Sequence, residues 1–123
     1  MATLITCLST GKGTWIKVMD LINLQDWDNI FIICNQFAKE KFKVAKKAEF
    51  IVINEDDEIN KISNTIKDAL NKKIDDFEIA LNIDSGSGKE HMALISSILK
   101  LGLSLRFVCV EKGKLIEITP YEK

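Results

Sequence analysis

The chain has little of what breaks, staples or charges a fold. Its one proline is Pro120, its glycines number six, and its three cysteines, Cys7, Cys34 and Cys109, are odd in number and far apart. No Cys-x-x-Cys pair or Cys/His cluster occurs. A disulfide-stapled secreted scaffold and a structural zinc site are therefore excluded. Each cysteine instead lies in an apolar run, such as Ile32-Ile33-Cys34 or Phe107-Val108-Cys109-Val110. A free cysteine packs as a small hydrophobe, so all three are expected to be reduced core residues.

Arginine occurs once, at Arg106, and 17 basic against 18 acidic side chains leave a net charge of −1. A protein that grips duplex DNA needs a basic face, so duplex DNA is not an expected partner, whereas a small anion could still bind locally. No apolar run approaches the roughly 18 residues of a membrane span, and the N-terminus lacks the basic, apolar and small-residue regions of a signal peptide. A cytoplasmic protein with no membrane partner is expected. With 46% hydrophobic residues, residues 1–123 have enough apolar material for one core and are expected to form a single domain.

Short apolar runs alternate with amphipathic stretches along the whole length. Residues 4–8 read as a buried strand, 14–24 as a helix with Trp15, Met19 and Ile22 at helical spacing, and 30–34 as a second strand. A helix over 36–47 would carry Phe37, Lys41 and Val44 beside Ala38, Phe42 and Ala45, and residues 50–53 form the third strand. The clearest helix is 57–73, where Ile59, Ile62, Ile66, Ala69 and Leu70 recur every three or four residues. A strand over 77–83, a helix over 89–101 ended by Gly102, a strand over 104–110, a turn around Gly113 and a strand over 115–119 complete the chain. Such alternation, with apolar strands, predicts an α/β fold of three layers: a mainly parallel sheet covered on both faces, with a C-terminal antiparallel hairpin strand.

Four of the six glycines sit in two loops, Ser9-Thr10-Gly11-Lys12-Gly13-Thr14 and Asp84-Ser85-Gly86-Ser87-Gly88-Lys89. Each leaves the carboxyl end of a strand and opens a helix, where exposed N–H groups and the positive end of the helix dipole favour an anion. The loops follow the first and fourth strands. A sheet ordered 3-2-1-4-5 places those strands side by side at the switch point, which is the order expected here. Neither loop is a Walker A motif, because that spacing would need glycine and Ser/Thr where the chain has Ile83 and Glu90. A GxGxxG fingerprint is also absent.

Several residues have plain structural readings as well. Ser87 and Glu90 have capping-box spacing, which gives Glu90 an amide to accept rather than a proton to move. Lys89 opposes the helix dipole, so an anionic ligand would explain it. His91 reads equally as a locally hydrogen-bonded helix residue or a ligand contact. Glu55-Asp56-Asp57-Glu58 reads as a solvated helix cap, and the lysine pairs at 46–47 and 72–73 as complements to helix C-termini. Trp15 is either a packing residue or a stacking platform for a base.

With these two loops the chain resembles a CARF domain, the CRISPR-associated Rossmann-fold sensor of cyclic oligoadenylates. The likeness lies in the first loop through Trp15, in residues 82–93 around Gly-Ser-Gly-Lys-Glu-His-Met, and in Asn35-Gln36-Phe37 with Lys39-Glu40-Lys41-Phe42. It departs at Asp84-Ser85-Gly86-Ser87, where many members read Thr-Gly-Gly-Thr; the Asp84 charge would repel an anionic ring unless it points away. The resemblance implies a Rossmann-like fold and a homodimer holding a cyclic oligoadenylate, with no cofactor and no metal. No effector sequence follows, so it further implies a stand-alone ring nuclease for cyclic tetra-adenylate, acting in type III CRISPR signalling. An adenosine 2′-hydroxyl would attack the neighbouring phosphodiester.

By the same motif match Lys89 would stabilise the phosphorane and Ser9 or Thr10 would position the scissile phosphate. Lys12 would contact phosphate, the amides of Gly11, Gly13, Gly86 and Gly88 would line the cradle, and Thr14, Asp84, Ser85, Ser87 and His91 would complete the ligand-binding set. Two alternatives stay open: a non-catalytic sensor or sponge working with a separate effector subunit, and an unrelated nucleotide- or phosphate-binding Rossmann-like protein.

Overall fold

The apolar runs, too short for helices and rich in β-branched residues, become six strands. The structure, a computed structural model, describes residues 2–8, 12–44 and 46–118. Strands β1 (Thr3–Cys7), β2 (Asn29–Cys34), β3 (Glu49–Val52), β4 (Glu78–Asn82), β5 (Ser104–Glu111) and β6 (Lys114–Ile118) form one sheet of order β3-β2-β1-β4-β5-β6. All neighbours run parallel except β5 and β6, which close as an antiparallel hairpin. This is the Rossmann-like topology expected from the two glycine loops.

Helices α1 (Trp15–Leu24) and α2 (Gln36–Lys41) cover one face, and α3 (Ile59–Leu70) and α4 (Gly88–Lys100) the other. Alternation along β1 divides its side chains between the two layers. Ile5 and Cys7 join Ile62, Ile66, Leu94 and Ile98, while Leu4 joins Val18, Leu21 and Ile22 on the opposite side. Every β1 residue is buried. Each fully buried Ile or Leu contributes roughly 1.5–3 kcal/mol of transfer free energy, so these two layers supply the main favourable term in folding. No helix among the described residues is long and apolar enough to cross a membrane.

Three expectations need correction. The helix placed over 36–47 is α2 alone, six residues long, because the chain turns extended at Phe42 to bury that ring edge-on against Trp15, with centroids 5.7 Å apart. Ala45 lies outside the described residues. Lys46 therefore does not end its own helix; its Nζ donates to the carbonyls of Ile22 at 2.9 Å and Gln25 at 2.7 Å, at the C-terminal end of α1. Cys109 is the third case. Cys7 and Cys34 are buried, but Cys109, one strand from the sheet edge, is half-buried in a small groove with Asp84 and Ile118.

Candidate functional site

The register of β1 on β4 determines where the two loops meet. Leu4, Ile5 and Thr6 pair with Ala80, Leu81 and Asn82, so both strands end at the same edge of the sheet and both loops leave from adjacent positions. Ser9, Thr10 and Gly11 lie outside the described residues. Lys12, Gly13 and Thr14 form a 3₁₀ turn that leads into α1, and the space over Gly13 is open.

Beneath the second loop, Asn82 ties three strands together. Its side-chain oxygen accepts from Thr6 Oγ1 at 3.1 Å on β1, and its amide donates to the Val108 carbonyl at 2.9 Å on β5. The same amide donates to Asp84 Oδ2 at 3.1 Å, and Asp84 lines the groove beside Cys109 on the β5 side. The carboxylate thus lies on the β5 side of β4.

The turn from β4 into α4 is built around Gly86 and a capping box. Gly86 has φ of +101°, and a Cβ there would lie 3.1–3.3 Å from His91 Nε2, Cys7 Cβ and Glu90 Oε1. Ser87 Oγ accepts from Glu90 N at 3.2 Å, while the buried Glu90 carboxylate accepts from Ser87 N at 2.7 Å. Glu90 is therefore a scaffold residue, as its spacing predicts. His91 Nε2 lies 2.8 Å from the Ser85 carbonyl oxygen, which only accepts, so this nitrogen carries the proton and holds the loop from behind. The local hydrogen bond of the first reading of His91 is thus present, through Nε2. Because the box uses the N–H groups of Ser87 and Glu90, those of Gly88 and Lys89 remain at the first turn of α4 to face a ligand or water.

Lys89 reaches across the α3–α4 side of this edge. Its Nζ donates to the Glu55 carbonyl at 3.1 Å, and Glu55 Oε1 accepts from Asn35 Nδ2 at 3.1 Å. Asn35 in turn caps α2 by accepting from Ala38 N at 2.8 Å. Glu55 is thus a rim residue that sequence reasoning assigned to a solvated cap. The available signal was its place directly after β3, at the edge from which the glycine loops also leave. Asp57, from the same acidic run, behaves as expected and pairs with Lys61 on α3 at 3.6 Å. Trp15 packs on Phe37 at 6.4 Å as well as on Phe42.

The thiols near this edge are unsuited to nucleophilic work. Burial pushes the Cys7 thiol far up, with the Glu90 charge adding to it. Burial also pushes Cys34 up to about 11, against a downward pull from Lys39. Both stay protonated at neutral pH, where only a thiolate attacks. Among the described residues no group of three His, Cys, Asp or Glu side chains is placed to hold a metal ion. What the arrangement offers is backbone N–H donors, a helix N-terminus, one lysine and several amides: binding chemistry for a phosphate-bearing ligand. Compared with known proteins, the chain matches no protein-family model, and a search of curated proteins gives no match. The fold and this edge together describe a nucleotide- or phosphate-binding type of Rossmann-like protein.

Proposed function

We propose that the chain is a CARF-like domain that binds a cyclic oligoadenylate, cyclic tetra-adenylate first, across a two-fold pair of chains, and cleaves it slowly without a metal. The observation that carries this reading is the register that brings the ends of β1 and β4 side by side, so that the two glycine loops leave adjacent strand ends and each leads into a helix. Asp84, which accepts from Asn82 and lines the groove on the β5 side, supports this reading because its charge is directed to that side. A ring with rotational symmetry asks for two copies of this edge. Met92, Ile95 and Leu99 form an apolar stripe on the outer face of α4, with Met92 60% and Leu99 57% exposed, and this helix starts at the loop itself. Pairing α4 on α4 would cover the stripe and bring two loops together.

In this reading the amides of Gly88 and Lys89 and those of the first loop hold phosphate oxygens. Lys89 leaves the Glu55 carbonyl to meet the charge of the phosphorane, with Ser9 or Thr10 positioning the scissile phosphate. Incubation of the protein with labelled cyclic tetra-adenylate in EDTA tests it. Conversion to a linear product with a 2′,3′-cyclic phosphate, lost in Lys89→Ala, is the expected result; an intact ring at high protein concentration refutes cleavage.

One observation favours the second reading, a sensor or sponge that binds without cutting. Of the carboxylates on the second loop and the first turn of α4, Glu90 is committed to the capping box and Asp84 to Asn82, which leaves neither as a general base. Tight binding with intact ring recovered would select this reading. No binding of any cyclic oligoadenylate would leave the third, a different phosphate-bearing ligand.

A further inference from the structure

His91 is the only histidine in the chain, and histidine is the one side chain whose ordinary titration falls between pH 5 and 8. The three thiols do not enter that window from above, because burial raises each of them. The hydrogen bond of His91 also fixes where its second proton must go. Nε2 donates to the Ser85 carbonyl at 2.8 Å, so the lone pair of the neutral ring lies on Nδ1, which has no hydrogen-bond partner among the described residues. A proton taken up at Nδ1 leaves the Nε2–H bond in place and makes it charge-assisted. The turn keeps its anchor across the titration, and only the charge beside it changes. That charge adjoins the glycine turn itself, since a Cβ at Gly86 would lie 3.1 Å from Nε2.

We propose that His91 is the pH-responsive element of the anion site. As an imidazolium it adds a second cation to Lys89 beside the Asp84–Lys89 loop, so a phosphate-bearing ligand binds more tightly as pH falls through the imidazole range. By linkage, the bound ligand holds the proton on the ring by the same factor. The surrounding charges are mixed in sign. Glu90 and Cys7 flank the same Gly86 position at 3.3 and 3.2 Å; the Glu90 carboxylate is tied to Ser87 N, and the Cys7 thiol is neutral. Asp84 lies on the β5 side with Cys109, whose thiol also feels Glu111 of β5 and Lys17 of α1. From α3 the buried residues Ile62, Ser63 and Ile66 bring no charge, and Ser63 meets Ser97 of α4. Lys89 reaches to the Glu55 carbonyl. Glu90 and Asp84 favour the imidazolium, Lys89 opposes it, and an anion at the loop joins the two acids. This inference rests on reading the loop as an anion site, and it names the regulation of that site.

The test follows the single imidazole by ¹⁵N NMR of the full chain from about pH 5.5 to about pH 8, at constant ionic strength. Spectra are taken alone and with sulfate or cyclic tetra-adenylate, neither of which changes charge in that window. Expected are a neutral ring with its proton on Nε2, and a midpoint raised by about 0.5–1 pH unit by either probe, matching an affinity about three- to tenfold higher at the acid end. His91→Gln, whose amide nitrogen donates without titrating, should flatten the pH dependence of binding. A midpoint unmoved by bound probe, a neutral ring protonated on Nδ1, or the parental pH slope in His91→Gln overturns the proposal. If sulfate raises the midpoint while cyclic tetra-adenylate does not bind, the proposed function fails and the pH coupling stands. If the cyclic compound binds with a flat pH profile, the reverse holds. Binding of neither probe anywhere in the window overturns both.

Discussion

Replacing Gly86 by alanine is expected to destabilise the protein by about 3 kcal/mol, the sum of a backbone and a packing effect. With φ at +101°, an L-residue at this position pays roughly 1–2 kcal/mol of backbone strain. The added methyl would also stand 3.2 Å from Cys7 Cβ, at the end of central strand β1, where Cys7 pairs with Ile33 of β2 and has little room to yield. Its other neighbours, His91 Nε2 at 3.1 Å and Glu90 Oε1 at 3.3 Å, are each held by a hydrogen bond to the same turn. Overpacking of this kind costs roughly 1–3 kcal/mol. Gly88, two residues on, has a negative contrast: no atom stands within 4 Å of a Cβ built there. Gly88→Ala should therefore lose nothing and gain up to about 1 kcal/mol from helix propensity. Urea unfolding followed by circular dichroism separates the two. At a slope of roughly 1–3 kcal/mol per molar, Gly86→Ala should lower the midpoint by about 1–3 M. A Gly86→Ala midpoint within error of the parent, or an equal loss at Gly88, would refute the reasoning.

Asn82→Ala should cost about 2–3 kcal/mol, because it strands the Val108 carbonyl and the Thr6 hydroxyl in the core; a loss below about 0.5 kcal/mol in the same assay would contradict this. Cys34 has its ordinary value of 9.0 raised to about 11 on folding, so the stability it contributes is complete below pH 9 and disappears as pH rises toward 11. The stability difference between the parent and Cys34→Ala should shrink by up to about 3 kcal/mol over that window, and a flat difference would argue against the shift. Leu99→Glu, on the exposed stripe of α4, should leave the unfolding midpoint unchanged while converting a dimeric parent to monomer by sedimentation. A variant that remains dimeric would place the pairing face elsewhere.

Much of the architecture was legible because it depends on local periodicity. The four-residue spacing of Ile62, Ile66 and Leu70 marks the buried side of α3, and Ser87 with Glu90 marks the start of α4. Even the strand order followed from sequence, since two glycine loops after the first and fourth strands are neighbours only in one of the two common orders. The length of α2 was not legible: the helical pattern continues past Lys41, and only the pull of Phe42 into contact with Trp15 ends the helix. Glu55 was hidden for a similar reason. Its link to Lys89 spans 34 residues and uses a backbone carbonyl, which leaves no trace in residue type.

By itself the sequence determined which segments are strands and helices, where the loops leave them, and that those loops suit an anion, because periodicity, capping and glycine act over a few residues. Tertiary structure alone decided how the edge is wired. It turned Asp84 toward β5, used His91 to hold the Ser85 carbonyl, and set Glu55 between Lys89 and Asn35. Those choices come from packing and register, which bring together groups whose separation along the chain carries no signal.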